Sequence, residues 1–216
     1  MNTKTKICGL TTPACVEACL AVGVDAIGLN FYPPSPRSVT LEQGARLRLM
    51  IPSTIQVVGV FVRPDQAWLQ SVMAAIPLDV VQLHGTDAMY WKTFSPIAIP
   101  LWLACGIKST DDLAEVQQQL SDCQAAGGKV TALLLDAKVD GQHGGTGQTA
   151  PWSLVKQVRC PVPLVLAGGL TPDNVAEAVQ EVQPAWVDTA SGVENQPGIK
   201  DADKVRRFVQ AVRDNI

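Results

Sequence analysis

The chain has 216 residues, of which 47% are hydrophobic and 17% are charged, and its net charge is -3. This composition is that of an ordinary globular protein, and it excludes the concentrated basic surface of a nucleic-acid-binding protein and the roughly 18-residue apolar run of a membrane span. Because the N-terminal residues also lack the apolar segment of a secretion signal, we expect a cytoplasmic protein with one domain over residues 1–216.

Short, mostly apolar segments recur along the chain and predict β-strands. In chain order they are Lys4–Cys8, Asp25–Asn30, Ile55–Phe61, Asp79–Leu83, Pro100–Ala104, Ala132–Asp136, Leu164–Ala167 and Ala185–Asp188. Strands that are nearly all apolar are buried on both faces, which is typical of a parallel sheet covered by helices.

The segments between these strands carry apolar residues at helical spacing. The spacing i, i+3, i+4, i+7 is clearest over residues 113–120, 175–182 and 205–212. Thr12-Pro13 and Thr171-Pro172 predict helix starts, because a threonine hydroxyl caps the first turn and proline fits the first helical position.

Alternating strands and helices predict an α/β fold, a single-domain (β/α)8 barrel near the lower end of its size range. A doubly wound open sheet is the alternative. Its first turn would usually read G-x-G-x-x-G, whereas this chain has CGLTTP at residues 8–13. The loops that follow barrel strands form the active face, so polar residues at strand ends are the candidates for function.

The six cysteines are dispersed through a chain that is large enough to fold without disulfides, so we expect reduced thiols. Cys15 and Cys19 lie one helical turn apart and are interpreted as core residues. No metal site is predicted, because the chain has no C-x-x-C pair and His84 and His143 lie far apart in sequence.

Two loops predict a phosphate site. Gly168 and Gly169 separate the seventh strand from a helix N-terminus, where backbone N–H groups and the helix dipole favour an anion. Ser191 and Gly192 follow the eighth strand, and the loops after strands seven and eight form the recurrent phosphate site of such barrels. GGTG at residues 144–147 is a further candidate. Each glycine alone could simply make a turn, but the set favours a phosphorylated small-molecule ligand.

Arg37 follows Pro36 in a loop with three prolines, which is a stiff mount for a cation. A guanidinium binds a carboxylate through two parallel hydrogen bonds, so Arg37 is a candidate for a second anionic group of the ligand. The alternative is an ordinary surface arginine.

Cys8 and Asp136 end two predicted strands and are the candidates for chemistry. If Cys8 points into the barrel, strand alternation points Lys6 inward too, where its charge would lower the thiol pKa unless a buried ion pair neutralises it. Burial would raise the pKa of Asp136 and keep a proton available. A base and an acid across one mouth suit proton transfer without a metal or redox cofactor. A structural thiol, and Asp140 as the acid, are the alternatives.

Six fragments in this order resemble the phosphoribosylanthranilate isomerase family. They are KICGLT, GLNFYPPSPRSV, VQLHG, LLLD with GGTG, LAGGLTPDNV and VDTASGVENQPGIKD. The resemblance implies a (β/α)8 barrel that performs an Amadori rearrangement in tryptophan biosynthesis without a cofactor, as a monomer or homodimer. It also implies that Cys8 is the general base and Asp136 the general acid.

The same resemblance implies that Arg37 binds the anthranilate carboxylate, and that phosphate binds at Gly168, Gly169, Ser191 and Gly192 with help from Gly145. Two stretches depart from the family pattern, QTAPW at residues 148–152 and Thr189-Ala190. Another phosphosugar-binding barrel enzyme and a non-catalytic phospho-ligand sensor are the alternative functions.

Overall fold

A computed structural model describes residues 2–137 and 151–215. Parallel strands form a closed barrel in chain order, β1 to β8. Their bounds are Lys4–Cys8, Ala26–Asn30, Gln56–Val62, Val80–His84, Leu101–Ile107, Val130–Ala137, Leu164–Leu166 and Trp186–Thr189. Every predicted strand is present within a few residues of its predicted bounds, so the predicted (β/α)8 barrel is confirmed.

Helices α1 to α8 follow the strands on the outside of the barrel. Their bounds are Pro13–Val22, Leu41–Met50, Gln66–Ala75, Ala88–Thr93, Asp111–Ala125, Trp152–Val155, Val175–Val182 and Ala202–Arg213. None of the helices among the described residues is both long and apolar enough to cross a bilayer.

One of the two predicted helix starts is confirmed. Thr12 caps α1, with its hydroxyl accepting a hydrogen bond from the Cys15 N–H at 3.3 Å. The start at Thr171-Pro172 is wrong, since α7 begins at Val175. The Asn174 side chain accepts from the Thr171 N–H at 2.8 Å, so a closed turn occupies the residues where helix was expected.

Strand alternation divides the apolar residues into two layers. Ile7 packs in the larger layer between the strands and the helices, together with Cys15 and Cys19 of α1, which are 2% and 0% exposed. The smaller layer fills the barrel interior and includes Cys8, Trp102 and Trp186. The expectation that Cys15 and Cys19 are core residues is confirmed.

A short unit after β8 was not predicted. It consists of a 3₁₀ helix, Ser191–Val193, and an antiparallel hairpin of β9, Glu194–Gln196, with β10, Ile199–Lys200. This unit lies between the eighth strand and α8, so it carries residues to the same end of the barrel as the strand-end loops.

Candidate active site

A cavity of about 340 Å³ opens at the carboxyl ends of the strands. Its lining includes most of the residues that the sequence singled out, namely Cys8, Arg37, Asp136, Gly168, Gly169 and Ser191. Gly192 is not one of the lining residues in the described chain, and Gly145 lies outside the described residues, as do Asp140 and residues 148–150. Cys8 and Asp136, which are 128 positions apart in the chain, therefore line one cavity, as expected of residues at the ends of strands in one barrel.

Cys8 is the last residue of β1, and its side chain points into the barrel. The neighbouring strand has Gly28 opposite it, and a Cβ at that position would lie 2.7 Å from the Cys8 sulfur. Gly28 thus leaves the space that the thiol occupies. Burial raises the pKa of the Cys8 thiol above its ordinary value, although the charges of Lys6 and Lys200 act in the opposite direction.

Lys6 lies one pleat below Cys8 and is fully buried. Its ammonium nitrogen donates to Asp188 Oδ2 at 2.8 Å and lies 6.0 Å from the Trp102 ring centre. Burial alone would lower the pKa of Lys6, but the attraction of Asp188 and Cys8 outweighs it and the pKa is raised. The buried ion pair considered for Lys6 is present. The lowering of the Cys8 pKa that was considered for Lys6 without such an ion pair is not found, because burial of the thiol is the larger effect.

Asp136 lies near the end of β6, three strands around the barrel from β1. Leu134 and Asp136 both line the cavity, while Leu135 between them packs in the outer layer. The alternation of β6 therefore turns the carboxyl toward the same space as the Cys8 thiol, and from a different wall.

Arg37 lies in the loop between β2 and α2, with its side chain 12% exposed. Its Nε and Nη2 groups donate to the two carboxylate oxygens of Glu194, at 2.9 and 2.8 Å. Gly9 has φ +76°, and a Cβ there would lie 2.7 Å from the Arg37 Cδ. The arginine can cross the end of β1 because Gly9 has no side chain.

Glu194 also binds Lys200, whose ammonium nitrogen lies 2.7 Å from Oε1. The same oxygen accepts from the Gly198 N–H at 3.1 Å. Burial would raise the pKa of Glu194, but Arg37 and Lys200 together hold it below its ordinary value. We call these three side chains, Arg37, Glu194 and Lys200, the rim cluster. It carries two positive charges and one negative charge.

The loops after β7 and β8 contact one another. Gly168 and Gly169 have φ values of +87° and +62°, a backbone conformation that favours glycine. Thr189 donates to the Leu170 carbonyl oxygen at 2.7 Å, and a Cβ at Gly192 would lie 1.9 Å from that oxygen. The departure at Thr189 therefore makes a specific link between the two loops.

The expected helix N-terminus does not adjoin the glycine pair. Helix α7 begins at Val175, six positions beyond Gly169, because the turn at Thr171–Asn174 intervenes. The element that begins at the cavity is the 3₁₀ helix at Ser191. An anion at this end of the cavity would consequently depend on the backbone N–H groups of the two loops more than on the dipole of α7.

Several polar residues that line the cavity received no role from the sequence, and Asp188, Gln82 and His84 are among them. Asp188 lines it from β8, and Gln82 and His84 line it from β4, with Gln82 Nε2 2.6 Å from His84 Nε2. Asp188 carries the same signal as Asp136, a carboxylate that follows an apolar strand. Among the described residues, no group of three or more histidine, cysteine, aspartate or glutamate side chains could hold a metal ion.

A (β/α)8 barrel whose mouth combines a thiol, a carboxyl and two linked glycine-containing loops defines a class of protein, the barrel enzymes that act on small anionic substrates. Residues 5–211 match the family model described as N-(5'phosphoribosyl)anthranilate (PRA) isomerase. The chain belongs to this family.

Individual relatives agree with the family match. The N-(5'-phosphoribosyl)anthranilate isomerase of Magnetococcus marinus is 45% identical over 213 residues, which cover 99% of this chain and 96% of that protein. The crystal structure of phosphoribosyl anthranilate isomerase from Thermotoga maritima is 31% identical, with a TM-score of 0.84 and coverage of 98% and 99%.

Another crystal structure is that of a phosphoribosyl anthranilate isomerase in complex with reduced 1-(o-carboxyphenylamino)-1-deoxyribulose 5-phosphate. It is 30% identical to this chain, with a TM-score of 0.78 and coverage of 98% and 99%.

Proposed function

We propose that this chain isomerises N-(5'-phosphoribosyl)anthranilate to 1-(o-carboxyphenylamino)-1-deoxyribulose 5-phosphate, a step of tryptophan biosynthesis. Membership of the isomerase family supports the reaction. The observation that carries the mechanism is that Cys8 and Asp136 line one cavity together with Gly168, Gly169 and Ser191.

In this mechanism Asp136 is the general acid. It gives its proton to the ring oxygen of the ribose as the bond from that oxygen to C1 breaks, and the nitrogen lone pair forms a C1=N bond. Because the resulting iminium group makes the C2 proton acidic, the thiolate form of Cys8 can remove it. The C1=C2 enolamine then becomes the ketone as C1 gains a proton and the C2 hydroxyl loses one. No electrons enter or leave, so the chemistry requires no redox cofactor.

Binding is divided between the two ends of the cavity. Phosphate is bound by the loops of Gly168 and Gly169 and of Ser191 and Gly192, and Gly145 remains a candidate from the sequence. Arg37 binds the carboxylate of the aminobenzoate. Since Glu194 takes the edge formed by Nε and Nη2, the other N–H groups of the guanidinium are those that serve the substrate.

Two substitutions test the assignment of acid and base. Cys8→Ala and Asp136→Asn are each expected to lower kcat by about 10²- to 10⁴-fold, the usual contribution of a positioned acid or base. Cys160→Ser is the matched control, since Cys160 does not line the cavity. Turnover is followed by the change in fluorescence as the aminobenzoate is converted.

The same assay separates the alternatives. Wild-type kcat in either variant would remove that residue from the mechanism. Tight binding of the phosphorylated compound by the wild-type chain without any turnover would instead indicate a sensor. A cytoplasmic location, and a monomer or homodimer, remain predictions; light scattering of the purified protein measures the second.

A further inference from the structure

Asp188 is a buried carboxylate with one oxygen unused. The residue is 7% exposed and lines the cavity. Oδ2 accepts from Lys6 at 2.8 Å, whereas Oδ1 is buried and has no hydrogen-bond partner among the described residues. Buried polar atoms in folded proteins are nearly always hydrogen-bonded, so an unused acceptor in a cavity wall points to a ligand group.

The position of Asp188 limits which part of the ligand can reach it. Strand β8 is paired with β1, and Asp188 lies opposite Lys6, one pleat below Cys8. Ser191, in the loop assigned to phosphate, follows three positions later in the chain. Asp188 therefore lines the cavity one pleat below the residue that acts at C2, on the strand that leads to the loop assigned to the phosphate of C5.

We propose that Asp188 Oδ1 accepts a hydrogen bond from the C3 hydroxyl of the phosphorylated pentose, which makes Asp188 a substrate-binding residue. This inference rests on the proposed function, because that function places C2 at Cys8 and the phosphate at Ser191. An ionised carboxylate can only accept hydrogen bonds, and a sugar hydroxyl can donate one to it.

Lys6 fixes the carboxylate for this purpose. The bond to Oδ2 uses one oxygen and restricts the rotation of the carboxylate, and the Lys6 ammonium is fully buried. The pair therefore leaves one acceptor, Oδ1, unused on a residue that lines the cavity. A sugar without the C3 hydroxyl would leave that acceptor unsatisfied, so the site discriminates against deoxy sugars.

The test is a binding cycle that does not depend on turnover. The probes are reduced 1-(o-carboxyphenylamino)-1-deoxyribulose 5-phosphate and the same compound without its C3 hydroxyl, measured by calorimetry. The wild-type chain is expected to bind the first compound about 10- to 100-fold more tightly, the range for a hydrogen bond to a charged group. Asp188→Ala is expected to bind both equally.

The test also includes a conservative variant at Asp188 and a control variant at Asp79. Asp188→Asn keeps the size of the side chain and replaces the alanine variant if that variant does not fold. Its preference for the hydroxylated probe should be smaller than that of wild type. Asp79→Asn removes the same charge at the opposite end of the barrel, where Asp79 accepts from the Val57 N–H at 2.8 Å, and its preference should equal that of wild type.

The outcomes separate this inference from the proposed function. Equal binding of the two probes by wild type, or an unchanged preference in both Asp188 variants, would overturn the role of Asp188 while the isomerase activity stands. A wild-type chain that neither binds the hydroxylated probe nor turns over the substrate would overturn the proposed function and this inference with it.

Discussion

The rim cluster gives a sharp test of how Arg37 is positioned. In Glu194→Gln the side chain keeps its length but loses its charge, so Arg37 and Lys200 are left as two buried cations without a carboxylate between them. The wild-type Glu194 accepts from Arg37 twice, from Lys200 and from the Gly198 N–H, all within 3.1 Å.

The expected loss of stability is large because the cluster is buried. The side chains of Glu194 and Lys200 are 5% and 0% exposed. Removing one partner of a buried ion pair typically costs about 3–5 kcal/mol, and a chain of this size loses roughly 2–4 °C in Tm for each kcal/mol. We therefore expect Tm to fall by about 6–20 °C. Since the guanidinium also loses its fixed orientation, KM should rise more than kcat falls.

Thermal unfolding and steady-state kinetics check both expectations. Glu42→Gln is the matched control, because Glu42 pairs with Arg46 on the exposed surface of α2, where both side chains are about three-quarters exposed. That pair is worth well under about 1 kcal/mol, so Tm and KM should stay near wild type. If Glu194→Gln behaves like Glu42→Gln, the rim cluster does not position Arg37.

Three further outcomes are expected. Since burial raises the pKa of Cys8, the rate at which a neutral thiol reagent inactivates the protein through Cys8 should still be rising at about pH 8.5, the ordinary thiol pKa, and a plateau near pH 7 would contradict the raised pKa. The pKa of Glu194 is lowered on folding, so its contribution to stability is present above the unfolded pKa of about 4.3 and is lost as pH falls through the folded value. Wild type should lose more stability than Glu194→Gln over that range in urea titrations. Gly192→Ala would place a Cβ 1.9 Å from the Leu170 carbonyl oxygen, so inhibition by inorganic phosphate should weaken. An unchanged inhibition constant would exclude the loop after β8 from the phosphate site.

The barrel was predictable because its signals are local. Strands buried on both faces have few polar residues, and the helices α5, α7 and α8 show their buried stripes in the spacing of apolar residues. The hairpin of β9 and β10 gave no such signal, since its strands are only three and two residues long. It is stabilised by contacts such as that between Glu194 and Arg37, which lie 157 positions apart.

The site was predictable in part for the same reason. Strand-end position located Cys8 and Asp136, and alternation located Lys6 beneath the thiol. The direction of the Cys8 pKa was not predictable, because it depends on how strongly burial opposes the charge of Lys6 and on Asp188, whose proximity arises only when β8 pairs with β1. The pairing of Arg37 with Glu194 was not predictable either, because these residues lie 157 positions apart in the chain.

The charges around the cavity explain how a chain of net charge -3 can bind a substrate with a phosphate and a carboxylate. Lys6 and Asp188 cancel, so the base of the cavity adds no net attraction for an anion. The rim cluster has an excess of one positive charge, and the loops of Gly168 and Ser191 offer backbone N–H groups. Because the rim charges are largely buried, salt screens them less than it would screen surface charges. In the proposed binding mode, attraction for the anion is thus confined to the two places where its charged groups lie, and the space between them is where the proposed proton transfers occur.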